Sequence, residues 1–389
     1  MRILFLLLAL AAAQAAERRV ITTPGGIRVG PYSLGMIAGD YLYVSGQGAI
    51  DSSGRMPATF DAQTRLTLDN VKAVVEAAGL TMEHVVYAQV YLTDMANLAA
   101  FDRIWGEYFP KNPPARATLG VTRMPVNTPV EVTTVAIRDL SKKQWVDGAV
   151  VTHDRIFLGG VFGRGTSPAE QAEDALVRAE GILRKAGASL GHLVFVNPYL
   201  TSAMPMNVMN RAYARHFEFG YTPARATIQV ASLPDGASFE VTGVAVRDLR
   251  DRRVVRPKNM SLSPTASPCV FAADTLYCSA KSAFIPGPNS GIYASTVEHQ
   301  VRQTMRNLLD GLEEGGLDFS HVVATNVYLD TIDEFPKMNA TYATYFRADP
   351  PTRTTVQPLA PVTRKADDRE RWPMLEQISL IAVRSRYVR

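Results

Sequence analysis

Four short blocks recur three times, in the same order, along this chain. That repetition limits the fold more than any other feature of the sequence. PPARATLGV (113–121), TPARATIQV (222–230) and PPTRTTVQP (350–358) each set an arginine two residues after a proline: Arg116, Arg225 and Arg353. Upstream lie VVYAQVYLTD (85–94), LVFVNPYLTS (193–202) and VVATNVYLDT (322–331); downstream lie VEVTTVAIRDL (130–140), FEVTGVAVRDL (239–249) and EQISLIAVRS (376–385). Helix-like stretches end at Gly79, Gly187 and Gly316. The chain therefore reads as a tandem triplication with modules at 20–141, 142–252 and 253–389. An insertion near 361–374 (PVTRKADDRERWPM) lengthens the third.

Each module spells the same elements. A hairpin opens the first, YSLGMIAGDYLYVSG, with its turn at Gly39-Asp40 between alternating apolar runs. Leu68, Val71, Val74, Val75 and Ala78 recur at helical spacing and stop before Gly79. In the second module the matching helix starts at Ser167-Pro168-x-Glu170, a capping box with proline in the first turn. A strand (85–92), a second helix (about 95–109) and two strands (about 115–122 and 129–137) complete a ββαβαββ unit, an α+β module with both helices on one sheet face. Strands such as VVYAQVYL are apolar on both faces, so the helix-free face also needs cover. Three linked copies supply it by packing on one another, as an intramolecular pseudo-trimer.

Composition narrows the function classes. With 47% hydrophobic and 20% charged residues the chain is neither disordered nor fibrous. A net charge of +4 on 389 residues is no nucleic-acid footprint without a clustered basic face. The stretches DRRVVRPK (251–258) and RSRYVR (384–389) read as linker and tail. Six histidines (84, 153, 192, 216, 299, 321) form no metal-binding pattern, and no Walker loop, G-x-G-x-x-G or G-x-S-x-G is present. No metal or cofactor is expected. Residues 1–16, MRILFLLLALAAAQAA, join one arginine, a short apolar run and Ala13-Gln14-Ala15, the pattern of a cleaved signal peptide. A periplasmic or secreted protein is expected, with no membrane attachment after cleavage.

The block order, with P-x-R-x-T followed fifteen residues on by glutamate, resembles the reactive intermediate/imine deaminase family (RidA, YjgF-type). GPYSLG (30–35), VSGQG (44–48), LDNVKAVVEAAGL (68–80) and MNATYATYF (338–346) carry the likeness, which spans about residues 20–389 three times over. It implies a chorismate-mutase-like fold, pockets at module interfaces, and cofactor-independent hydrolysis of enamines and imines to 2-keto acids and ammonia. The partner would be a small 2-imino or 2-keto acid, and the trimer would be fused into one monomeric chain. The residue chemistry agrees: a guanidinium binds a carboxylate bidentately, and a carboxylate can take a proton from water. Arg116 with Glu131, and Arg225 with Glu240, are the catalytic candidates. Two rivals stay open: an exported module that binds small carboxylates without turnover, and an endoribonuclease.

The copies differ. Counting back from the Arg of A-[IV]-R gives Glu131 and Glu240, but Gln377 in the third copy, with Glu376 expected on the opposite sheet face. The family's Tyr after Gly-Pro appears only as Tyr32. Its serine appears as Ser45 and Ser279, against Gly159-Gly160. Its second-helix Asn is Asn210 and Asn339, against Asp102. Thr118, Thr227 and Thr355 stand where many members carry Cys, which argues against thiol chemistry. Binding roles are thus expected for Tyr32, Ser45, Thr118, Asn210, Thr227, Ser279, Asn339, Arg353 and Thr355. Arg116 and Arg225 are expected to be essential and Arg353 dispensable, because Gln377 takes no proton. At most two of the three sites are expected to work.

Cys269 and Cys278 flank the opening hairpin of the third copy. A turn at Ala273-Asp274 makes them a non-hydrogen-bonded pair with Cα atoms about 4.5 Å apart, within disulfide reach. An oxidising compartment would close the bridge; two reduced core residues are the alternative.

Overall fold

The computed structural model describes residues 18–384 except 259, 286–292 and 347; the apolar run 1–16 and nearly all of the 384–389 tail fall outside the described residues. The first module contains β1 (Arg18–Ile21), β2 (Gly35–Ala38), β3 (Tyr41–Gly48), α1 (Phe60–Ala77), β4 (Val85–Leu92), α2 (Leu98–Tyr108), β5 (Ala115–Gly120) and β6 (Val130–Ile137). Its sheet runs β1-β2-β3-β6-β4-β5, with β4 and β5 parallel and the other neighbours antiparallel. The second module repeats this with β7 (Gln144–Val146), β8 (Ala149–Val151), β9 (Arg155–Phe162), α3 (Pro168–Lys185), β10 (Leu193–Leu200), α4 (Met206–His216), β11 (Ala224–Arg225), β12 (Ile228–Gln229) and β13 (Phe239–Val246). The third follows as β14 (Arg252–Val255), β15 (Cys269–Ala272), β16 (Thr275–Lys281), α5 (Val297–Glu314), β17 (Val322–Leu329), α6 (Phe335–Tyr342), β18 (Thr352–Val356) and β19 (Glu376–Val383).

Local signals account for most boundaries. In α1, Leu68, Val71, Val74 and Val75 are buried, the Thr59 side chain accepts from the Ala62 N–H, and Gly79 at φ +79° carries the chain out of the helix. Ser167 and Glu170 form the expected capping box at α3. The hairpin reading missed one strand per module: β1, β7 and β14 each precede it and pair along the sheet edge. These strands are three or four residues long and partly exposed, too short to show a period of two.

The helix-free faces meet at the centre of the molecule. Tyr91, Tyr199 and Tyr328, at one position of the repeat, share a buried cluster with Leu119, Val121, Ile228, Val230 and Val356. Tyr41, Tyr43, Phe157, Val323 and Val383 form a second cluster drawn from all three copies. Arg155, 2% exposed, ties the copies together. Its guanidinium lies 4.4 Å from the Tyr41 ring centroid, donates to Thr275 at 2.6 Å, and pairs with Asp154 and Asp274 at 3.2 and 3.5 Å. Backbone bonds join the modules, from Gly120 N–H to Ser232 O (2.9 Å) and from Gln357 N–H to Arg123 O (2.9 Å).

The cysteine pair closes, as its register allows. Cys269 opposes Cys278 with Cα atoms 4.0 Å apart and the sulfurs bonded. The neighbouring Ser279 N–H bonds Pro268 O at 2.9 Å, as expected beside a non-hydrogen-bonded pair. The bridge faces Gly311, where a Cβ would lie 2.6 Å from Cys269 Sγ. Gly311 is the fifteenth residue of its 18-residue helix; the same position is Val74 in α1 and Ile182 in α3. The facing strand pairs are Gly35 with Val44 and Ala149 with Leu158. In the third copy two sulfurs occupy the space that a branched helix side chain takes in the other two. Gly311→Val should therefore destabilise the protein by about 1–3 kcal/mol through overpacking. Adding Cys269→Gly and Cys278→Val, which recreates the first copy's set, should restore most of that loss in chemical denaturation. Thiol titration of unfolded, unreduced protein should find no free thiol.

Candidate functional site

Each arginine-bearing strand packs on the opening hairpin of another module, in a closed ring of three interfaces. The Arg353 N–H donates to Ser45 Oγ at 2.9 Å, and the Arg225 N–H donates to Ser279 Oγ at 2.8 Å. Arg116 lies against Gly159 and Gly160, which take the serine position and the one after it. The arginine of one copy therefore shares a pocket with the next copy's glutamate position. Arg116 faces Glu240, Arg225 faces the Gln377 position, and Arg353 faces Glu131. This corrects the sequence pairing of Arg116 with Glu131 and Arg225 with Glu240. Fifteen residues separate those partners along the chain, but each belongs to a different interface.

The interface between the third and first modules keeps every expected group. Arg353 is 3% exposed and its guanidinium is caged by aromatic rings, 5.2 Å from the Tyr32 centroid, 5.3 Å from Phe335 and 5.0 Å from Tyr342. Among the described residues Nη2 has no hydrogen-bond partner, nor has Asn339 Oδ1. A Cβ on Gly30 would stand 2.5 Å from that Nη2 and 3.0 Å from the Asn339 amide, so glycine lets the loop close over them. Burial lowers the Arg353 pKa, because a guanidinium loses solvation without an anion to replace it. Ser45 Oγ donates to Ser33 O at 2.5 Å and so is locked to accept from the Arg353 backbone. Tyr32 is held by its hydroxyl, which accepts from the Val29 N–H at 3.1 Å.

Glu131 lies in the same cleft. Burial raises its carboxyl pKa to about 8, and the Arg353 charge offsets only part of that. A Cβ at Gly46 would collide with Oε1, so the carboxyl fits only because that residue is glycine. Thr355 also lines the cleft, with its Oγ1 unpartnered. The cleft thus holds a buried cation with a free donor beside a carboxyl that is largely neutral at pH 7.

The other two interfaces have each lost parts of this set. Between the first and second modules Glu240 is fully buried beside Gly160, with both oxygens unpartnered among the described residues and its pKa pushed well up by burial. Its arginine is already neutralised: Arg116 Nη2 pairs with Asp102 at 2.7 Å. The loop that carries Tyr32 is replaced there by the tight Asp147-Gly148 turn between β7 and β8. Between the second and third modules Arg225 Nη1 donates to Asn210 Oδ1 at 2.9 Å and lies 4.9 Å from the Tyr213 ring. Ala280 replaces the cradle glycine and Gln377 replaces the acid. Ala266 stands where Tyr32 would be, since Ser267 and Ser33 make the same bond to the proline before the arginine strand. Glu376 is held by Thr304 of α5, on the opposite face from Gln377 as expected.

The expectation that Arg353 is dispensable rested on pairing it with Gln377; the structure instead places it beside Glu131, in the one of the three interfaces that retains tyrosine, serine, glycine and acid together. Tyr32, Ser45, Thr355 and Asn339 gather there; Asn210, Thr227 and Ser279 belong to the Arg225 interface, and Thr118 is buried two residues beyond Arg116 on β5. Sequence reasoning missed Gly46 and Gly160 as cradles, and Phe335 and Tyr342 as cage walls. The joint change of Gly to Ala280 and Glu to Gln377 was the available signal for the cradles.

Comparisons with known proteins identify the family. The family profile described as Endoribonuclease L-PSP matches residues 27–138, 140–247 and 264–362. A RutC family protein of Saccharolobus solfataricus is 40% identical over 110 residues, 28% of this chain and 87% of its own. Protein DfrA of Myxococcus xanthus is 36% identical over 118 residues, 28% and 86% of the two chains. Among solved structures, RidA from Psychrobacter is 30% identical over 31% of this chain and 99% of its own, with a TM-score of 0.30. Escherichia coli TdcF, solved with bound serine, gives the same values. With three successive profile matches over most of its length, the chain belongs to the L-PSP family, the YjgF/RidA/RutC group, as three members in one polypeptide.

Proposed function

We propose that the cleft between the third and first modules hydrolyses small enamine or imine acids to 2-keto acids and ammonia. The observation that carries this is the buried Arg353 guanidinium, with one donor left unpartnered, beside the raised-pKa carboxyl of Glu131. Membership of a family whose members are often imine deaminases supports it. Arg353 would take the substrate carboxylate, and the aromatic cage would keep water from competing for it. Ionised Glu131 would take a proton from a water as its oxygen bonds C2 of the imine. The imine enters N-protonated, so this gives a neutral carbinolamine; the same carboxyl then returns its proton to the nitrogen and takes the hydroxyl proton as the C–N bond breaks, leaving a 2-keto acid, ammonia and one proton for solvent. A carboxyl titrating near 8 suits both transfers close to neutral pH. The cavity measures about 110 Å3. Besides Glu131, its lining holds one arginine, Arg353, among apolar, hydroxyl and amide side chains, which suits a single small carboxylate better than a phosphodiester chain. This weighs against the endoribonuclease reading. We also propose export to the periplasm or beyond, supported by the apolar run at 1–16 and the bonded cysteine pair.

Turnover can be followed as keto acid formed when an amino-acid oxidase supplies the imine. Arg353→Ala and Glu131→Gln should each lower it about a hundredfold or more. Arg116→Ala and Arg225→Ala should leave most of it; a loss as large in either would overturn the assignment.

The titration of Glu131 gives a second test. In the free enzyme kcat/KM should rise with pH to half its plateau near 8, and Glu131→Gln should remove that limb. Stability should move the other way. Below about pH 4 the carboxyl is protonated folded or unfolded, but between about 4.3 and 8 only the unfolded chain ionises, so the native state loses ground as pH rises. Glu131→Gln should therefore stabilise the protein at pH 8, by on the order of 2 kcal/mol, and much less at pH 4.

A further inference from the structure

A cavity of about 90 Å3 lies apart from the interface clefts, where the three sheets face one another. Its lining takes complete triplets from equivalent positions of the repeat: Tyr43, Phe157 and Tyr277; Tyr87, Phe195 and Ala324; Gln89, Asn197 and Asn326. The cavity therefore sits on the pseudo-threefold axis. The last two triplets, followed by Tyr91, Tyr199 and Tyr328, hold alternate positions of β4, β10 and β17, so a ring layer, an amide layer and a tyrosine layer succeed one another along that axis. Tyr87, Ala324 and Asn326 stay partly exposed although their strands are internal to the sheets, and the space they face is this cavity. Arg353 borders it from β18, but the guanidinium is held among Tyr32, Phe335 and Tyr342, none of which lines the axial cavity.

Two layers break the symmetry at the same place. Phe195 stacks on Tyr277 with ring centroids 5.8 Å apart, a contact between the second and third modules. The matching contact between the third and first modules would join position 324 to Tyr43, and there the ring is reduced to the methyl of Ala324. In the amide layer Gln89 donates to Tyr199 Oη at 2.7 Å and Asn197 donates to Ala226 O at 3.3 Å, whereas Asn326 makes no such bond among the described residues. Thr134 Oγ1, in the same wall, is buried and also unpartnered among the described residues. Buried amides and hydroxyls are as a rule hydrogen-bonded, so these two are open to a guest. The ring gap itself is walled by one apolar cluster, Tyr43 with Val135, Ala324 and Ile381. A water there would lack the two to four polar partners that hold buried water in place.

We propose that the axial cavity binds a small uncharged aromatic molecule with one hydroxyl, of the phenol class. The guest ring takes the place that Phe195 holds one interface away, stacking on Tyr43 over Ala324. Its hydroxyl meets the Asn326 amide, two residues along the same strand face. The one charged side chain in the lining is Arg353, engaged in the other cleft, so a carboxylate or an ammonium group would be buried here without a counter-charge. The site uses none of the side chains of the hydrolytic reading and stands or falls apart from it.

Calorimetric titration of the full-length protein with phenol should show a single site per chain, unaffected by excess pyruvate. Ala324→Phe, which restores the third ring, should abolish the binding. Asn326→Leu should weaken phenol about fivefold, the worth of one hydrogen bond, without weakening toluene. Co-crystals of the unsubstituted protein with para-bromophenol need no variant: the bromophenol ring should lie between Tyr43 and Ala324. Water alone at that place, binding that survives Ala324→Phe in a folded protein, or binding that excess pyruvate abolishes would each overturn the proposal.

Discussion

A sheet with helices on only one side must bury its other face, and nearly everything distinctive here follows from that constraint. Each module alone would leave a wall of apolar side chains open to water, which costs on the order of 25 cal/mol for every Å2 left exposed. The three copies share the burial, with Tyr91, Tyr199 and Tyr328 converging from equivalent positions. The same packing brings the arginine strand of one module onto the hairpin of another, where Ser45 and Ser279 fix the arginine backbone. The pockets are thus by-products of the burial that folds the molecule.

Fusing three copies into one chain removes the symmetry that identical subunits would impose, and each interface has changed separately. One retains a buried, unpaired guanidinium facing a neutral carboxyl. One has tied its arginine to Asp102 while keeping a buried acid with no partner. The third has lost its acid, filled the cradle with Ala280 and acquired an apolar wall from an insertion. A buried carboxylate costs stability, and only the third interface has shed that cost. The disulfide follows the same logic at another site: Gly311 could replace a branched residue only in the copy where two sulfurs fill the space.

The sequence by itself determined the number of modules, their helices and central strands, the cysteine register and the identity of the arginines and acids. These are local matters of periodicity, capping and repeat alignment, and the structure agrees with them element by element, with ends shifted by up to three residues, save for the split of β11 from β12 and for short edge strands such as β1 that are too brief to show a period. What only the tertiary structure decided is which arginine meets which acid. Spacing along the chain suggested partners fifteen residues apart, but β5 and β6 have β4 between them in the sheet and present those residues to different interfaces. The ring of three modules then pairs Arg353 with Glu131 across more than two hundred residues. The same closure decided that Gly46 must lack a Cβ, because only in the assembled pocket does a carboxyl occupy that space. Burial, and with it the raised pKa of Glu131, exists only once another copy covers the sheet.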